Sequence, residues 1–141
     1  MAAAIRATWH RGIVKTTPEV VADFSSKDFD YGVADCCQFA GEMVRSVTGA
    51  NPMDRFTYET EGEAQNIIKR HGSLNAAMRE VLGKPICAPY KTGDVVVYQM
   101  TNGEQIAGVI FKGRAVVKTK KSLTDWPLDF ALNVYRPDGV N

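Results

Sequence analysis

Phe29-Asp30-Tyr31-Gly32-Val33-Ala34-Asp35-Cys36 runs from a polar loop directly into an amphipathic helix, and the whole reading of the chain turns on this junction. From Asp35 to Thr48 the apolar residues Cys36, Phe39, Ala40, Met43, Val44 and Val47 recur at helical spacing, and Gly49 ends the run. Cys36 therefore falls in the first turn of a helix. Free amides and the helix dipole favour negative charge there, so a thiol loses its proton more readily than an isolated cysteine does, and a thiolate is a nucleophile. The same position also has a plainer reading, a small buried hydrophobe on the apolar edge of a helix. Pattern alone leaves both open.

Upstream, Thr16-Thr17-Pro18-Glu19 offers a capping hydroxyl, a proline suited to a first turn and an acid three residues after Thr16, so a short helix near 18–24 is expected. Downstream, Glu61 to Arg70 reads as a third helix with Ala64, Ile67 and Ile68 inward. Ser73 caps a fourth that runs through Leu82 with Leu74, Ala77, Met78 and Val81 on its apolar side. After Gly83 and Pro85 the texture becomes β-branched. Asp94 to Gln99, Gln105 to Phe111, Ala115 to Lys120 and Ala131 to Arg136 give about four strands, the first two joined through Asn102-Gly103 and the last connection holding Trp126-Pro127. Helices first and an antiparallel meander second make an α+β fold, with residues 1–141 as a single domain.

The totals agree with one ordinary core. Of 141 residues 45% are hydrophobic and 23% charged, which excludes disorder and fibrous repeats. Seventeen Lys and Arg against sixteen Asp and Glu leave a net charge of +1, which argues against nucleic acid as a partner. No stretch has the length of a membrane span, so membrane insertion is not expected. The opening Met1 to Gly12 carries Arg6, His10 and Arg11 and lacks the apolar run of a signal peptide. Three cysteines, two of them adjacent, fit reduced thiols better than a disulfide framework, and their spacing fits no metal site, so neither metal nor cofactor is expected.

Taken in order, Tyr31-Gly32-x-x-Asp35-Cys36, a helix, Gly93-Asp94-Val95-Val96-Val97, and Gly108-Val109-Ile110 before a glycine turn resemble the NlpC-type cell-wall peptidases of the papain-like fold. In particular they are similar to the short NlpC-like proteins encoded among the tail genes of long-tailed bacteriophages. The resemblance covers residues 29–136. It implies that Asp35-Cys36 starts the nucleophile helix, that Gly93-Asp94 starts the first strand of the sheet, and that the next strand supplies a catalytic histidine just before a glycine. It further implies a peptidase acting on peptidoglycan, with Cys36 as nucleophile, its amide holding the oxyanion, and Tyr31 and Asp35 at the approach to the cleft.

The chain departs from that pattern where the histidine belongs. Two residues before Gly108 stands Ile106, and the next strand offers Val116, Val117 and Lys118 in place of a second polar residue. Without an imidazole the thiolate has no obvious base, and such a loss typically removes several orders of magnitude in rate. Of the two histidines, His71 at the end of the third helix reads as a partner for the last helical carbonyls. His10, in Trp9-His10-Arg11, is the substitute base that a folded-over N-terminal segment would bring. The resemblance thus implies two functions. One is a tail-tip or baseplate component with a degenerate site, located in the virion and contacting other tail proteins. The other is an active tail-associated cysteine endopeptidase that opens peptidoglycan.

Three smaller expectations concern side chains away from this junction. Cys37 follows at about 100° around the helix and is expected to pack. Lys118, Lys120 and Lys121 form a solvated strand edge. Trp126 and Tyr135 act as core or interface anchors.

Overall fold

The computed structural model describes residues 14–140. Helix α1 spans Thr17–Ser25, opened by the reciprocal cap that Thr16 and Glu19 predict: the Thr16 hydroxyl accepts from the Glu19 amide and the Glu19 carboxylate accepts from the Thr16 amide. Helix α2 spans Cys36–Thr48, with Asp35 as its N-cap and Gly49 closing it at φ 89°, a left-handed conformation that glycine adopts without strain. Helices α3 (Glu61–His71) and α4 (Leu74–Leu82) follow, capped by Thr60 and Ser73. These boundaries agree with the periodicity to within a residue or two.

The second half is a five-stranded antiparallel sheet of β1 (Val95–Gln99), β2 (Gln105–Phe111), β3 (Arg114–Lys118), β4 (Leu123–Trp126) and β5 (Ala131–Tyr135), in the order β4-β3-β2-β1-β5. The fold class is therefore α+β, as expected. Two details differ from the expected four-stranded meander. Leu123–Trp126 is a strand, not part of a connection, and β5 crosses from one edge of the sheet to pair with β1 on the other. The sequence Leu-Thr-Asp-Trp hides β4 because an edge strand keeps half its face wet: Asp125 meets Arg114 at 2.9 Å in solvent, while Trp126 packs edge-on to Tyr98 at 5.1 Å.

The helices gather on one face of the sheet, with α3 packed on α4. One part of the core gathers Val20 and Phe24 of α1, Phe39, Ala40 and Met43 of α2, and Val109 and Val116 of the sheet. A second part joins Val44, Leu74 and Met78 to Val95, Val97, Ala107 and Tyr135, with both Cys36 and Cys37 packed against it. The opposite face carries Val96, Tyr98, Ile110, Ala115 and Val117, covered by Ile86, Tyr90, Trp126 and Leu128. The sheet is thus buried on both sides, which explains why β1 reads as a nearly unbroken apolar run. Tyr135 and Trp126 are core anchors on opposite faces.

Besides Asp35, two charged groups are buried among the described residues. Asp94, fully buried ahead of β1, takes a two-pronged contact from Arg136 at 2.9 and 2.8 Å and the Lys91 amide at 2.7 Å, which ties the start of β1 to the chain after β5. Lys118 is not the solvated edge residue its neighbours suggested. It is 3% exposed, and its ammonium donates to the Phe24 carbonyl at 2.9 Å and to the Lys27 carbonyl, satisfying the C-terminal end of α1. Lys120 and Lys121 are exposed.

Candidate active site

The loop before α2 is folded by its own backbone. The Val33 and Ala34 amides both donate to the Asp30 carbonyl, at 3.1 and 2.7 Å, and the Phe29 and Tyr31 rings meet edge to face at 5.0 Å. Gly32 turns the chain at φ 83°, and a Cβ there would come within 2.0 Å of the Tyr58 carbonyl oxygen. Glycine is required at this position on both counts.

Asp35 holds that loop to the helix. It is 3% exposed; one carboxylate oxygen accepts from the Gln38 amide at 2.8 Å, and the other accepts from the Gly32 amide at 2.9 Å and the Tyr58 hydroxyl at 2.7 Å. The side chain expected at the cleft approach is therefore a buried clamp with three donors on it. Tyr58 was not singled out by the sequence, because it lies in the polar segment Thr57-Tyr58-Glu59, where no periodicity marks an inward residue. Burial, and then the nearness of Cys37 and Asp35, holds its phenol far above the ordinary tyrosine range.

Cys36 and Cys37 are the first two residues of α2, both partly exposed, with their sulfurs 4.0 Å apart. Cys37 packs against the core, as expected, and although adjacent Cβ vectors diverge by about 100° on a helix, its sulfur also approaches that of Cys36. The shared hydrogen bond splits the two titrations. Cys36 is lowered below the ordinary thiol range, chiefly by its side-chain hydrogen bond with Cys37, with the Ala107 and Cys37 amides adding to the effect; burial and the nearby Asp35 oppose it. Cys37 is pushed well up, first by that same bond and then by burial. Tyr31 lies near enough for Cys36, along with Glu61, to add to the upward shift that burial gives its phenol.

The strand facing this thiol is β2. Ala107 belongs to the same buried cluster as Cys36, whereas Ile106 projects into the cluster on the far face of the sheet, as strand alternation demands. On the same face of β2 Ala107 lies between Val109 and Gln105, and Gln105 is engaged elsewhere, accepting from the Asn75 amide at 2.8 Å and donating to Gln99 at 3.0 Å. His71 does not cap carbonyls. Its Nδ1 is paired with Glu80 and its ring stands edge-on to Phe56. Among the described residues no imidazole is hydrogen-bonded to either sulfur, and His10 lies outside the described residues.

A small apolar cavity of about 50 Å³ opens beside Cys37, walled by Phe56 and Tyr58, by Ile67 and Ile68 of α3, and by Met78 of α4. Among the described residues no three His, Cys, Asp or Glu side chains converge in a way that could hold a metal ion, and no helix is long and apolar enough to cross a membrane. Chemically the site offers a thiolate-prone sulfur at a helix start, a second thiol beside it, and, among the described residues, no imidazole bonded to either.

No curated protein and no solved structure matches the chain. Residues 6–137 match the family described as Domain of unknown function (DUF6950), to which the chain therefore belongs.

Proposed function

We propose that the chain is a component of a bacteriophage tail tip or baseplate, built on an NlpC-like, papain-like fold whose cysteine site no longer works as a peptidase. The fold part of this reading is supported by placement: Cys36 opens α2, Gly93-Asp94 immediately precedes β1, and β2 lies beside both, in the order that the resemblance requires. The observation that carries the functional part is the wall opposite the thiol. Whether the lost histidine is placed at Ile106 or at the thiol-facing Ala107, the side chain there is apolar and moves no proton. The near-neutral charge fits association with other tail proteins and not with nucleic acid.

One observation favours the second reading, an active peptidoglycan endopeptidase: the Cys36 thiol is lowered even without an imidazole. Tail assembly and infection with Cys36→Ala separate the two. A structural component yields normal tails and normal infectivity, whereas normal tails with a clear loss of infectivity assign Cys36 a chemical task.

A further inference from the structure

The two thiols at the start of α2 have a relation that peptidase chemistry does not use. We infer that Cys36 and Cys37 form an oxidisable dithiol: a hydroperoxide attacks at Cys36, and Cys37 resolves the product into a disulfide between the two adjacent residues.

Several independent features support this division of labour. The sulfurs are 4.0 Å apart, and both residues are partly exposed. The Cys36 sulfur sits at the N-terminus of a thirteen-residue helix, where first-turn amides stabilise a thiolate, and the Ala107 and Cys37 amides reach it but not the Cys37 sulfur. Polarity therefore assigns Cys36 as the attacking sulfur and Cys37 as the resolving one. Cys87, the third cysteine, is exposed elsewhere and takes no part.

The steps balance. The Cys36 thiolate attacks one oxygen of the peroxide; the O–O bond breaks, Cys36 becomes a sulfenic acid, and the other oxygen leaves as hydroxide or alkoxide and takes up a proton. The Cys37 sulfur then attacks the sulfenic sulfur, the S–O bond breaks, and water leaves with the Cys37 proton. Two thiols are oxidised, one peroxide is reduced, and the product is one S–S bond.

The helix start constrains this product. Consecutive Cα atoms lie about 3.8 Å apart, below the span of an ordinary disulfide, so the ring that closes is strained and readily reduced. It also cannot keep helical dihedrals at both residues. Forming it pulls the first turn of α2 away from Asp35, whose carboxylate accepts the Gln38 amide and whose carbonyl accepts the Phe39 amide at 2.9 Å. Oxidation is thus coupled to release of the loop that carries Gly32 and Tyr31.

The test uses the full chain and hydrogen peroxide, with Cys87→Ser as background so that linkage between molecules does not interfere. One proteolytic peptide containing both Cys36 and Cys37 is expected to lose the mass of two hydrogens and regain them with a mild thiol reductant. Hydrogen exchange at Gln38 and Phe39 is expected to quicken in the oxidised protein. In Cys37→Ser the Cys36 sulfenic acid accumulates and is trapped by a carbon nucleophile. In Cys36→Ser peroxide consumption falls about tenfold or more, since the thiolate is the reacting form. The inference is overturned if Cys36 in the parent protein passes to sulfinic acid as fast as in Cys37→Ser, or if no peptide loses two hydrogens; the second outcome is read on the parent protein alone, so a misfolded variant does not blunt the test.

Discussion

Tyr58→Phe isolates the contact that fixes the candidate site. The substitution removes one oxygen and keeps the ring, so the wall of the cavity beside Cys37 stays filled. What it takes away is a 2.7 Å hydrogen bond to a carboxylate that is 3% exposed, leaving Asp35 with the Gly32 and Gln38 amides alone. The second contact of the hydroxyl, from the Gln38 side chain at 3.4 Å, is long and contributes little. A hydrogen bond to a charged group is worth about 1.5–3 kcal/mol, which for a domain of this size lowers the melting temperature by about 5–9 °C. Urea unfolding followed by circular dichroism should show the midpoint falling with an unchanged slope. The pH dependence adds an independent signature. The Tyr58 proton is held more tightly in the fold than in the unfolded chain, so the stability it contributes is whole below about pH 10 and is lost as pH rises further. Tyr58→Phe should flatten that alkaline loss. Combined with Asp35→Asn, the two changes should fall short of additivity by about 0.5 kcal/mol or more. A loss under about 0.5 kcal/mol in the single variant, or strict additivity in the pair, would refute the clamp.

Three further outcomes rest on the same geometry. Lys118→Met should cost about 1–3 kcal/mol by taking the buried ammonium away from the Phe24 and Lys27 carbonyls, while Lys120→Met on the exposed end should stay within about 0.5 kcal/mol; equal effects in thermal melts would contradict a buried role for Lys118. Gly32→Ala should cost more than Gly49→Ala. Both residues have positive φ, worth about 1–3 kcal/mol of strain, but an added Cβ at Gly32 meets the Tyr58 carbonyl oxygen whereas at Gly49 it meets nothing within 4 Å. Alkylation of Cys36 by iodoacetamide should reach half its maximal rate at a pH below that of a free thiol, and Cys37→Ala, which removes the bonding partner, should move that midpoint upward; no movement would mean that the Cys37 hydrogen bond is not what lowers Cys36.

How much of the fold and of the site was legible in the sequence depends on the range of the interaction. Helix starts are local, and Thr16 with Glu19, Asp35, Thr60 and Ser73 each bond an amide three residues on, so the string shows them. The Asp35–Cys36 junction was readable for the same reason. Tyr58, Lys118 and Ala107 gain their roles only from distant partners. Lys118 meets Phe24 across the fold, and nothing near it in sequence distinguishes it from the exposed Lys120. The position opposite the thiol shows the limit most sharply: counting back from Gly108 points to Ile106, but the pairing of Val97 with Ala107 and Tyr98 with Ile106 settles which face each residue takes. The crossing of β5 to the far edge likewise leaves no trace in a strand whose own residues would suit either edge.

The most direct test of whether a nucleophile-like cysteine persists here without peptidase chemistry is incubation of the purified full chain and its Cys36→Ala variant with peptidoglycan fragments, with stem-peptide products measured by mass spectrometry. No product that depends on Cys36 is expected. Products released by the parent chain and abolished in Cys36→Ala would contradict the degenerate site, and would show that a base from outside its described walls, His10 first among them, completes the chemistry.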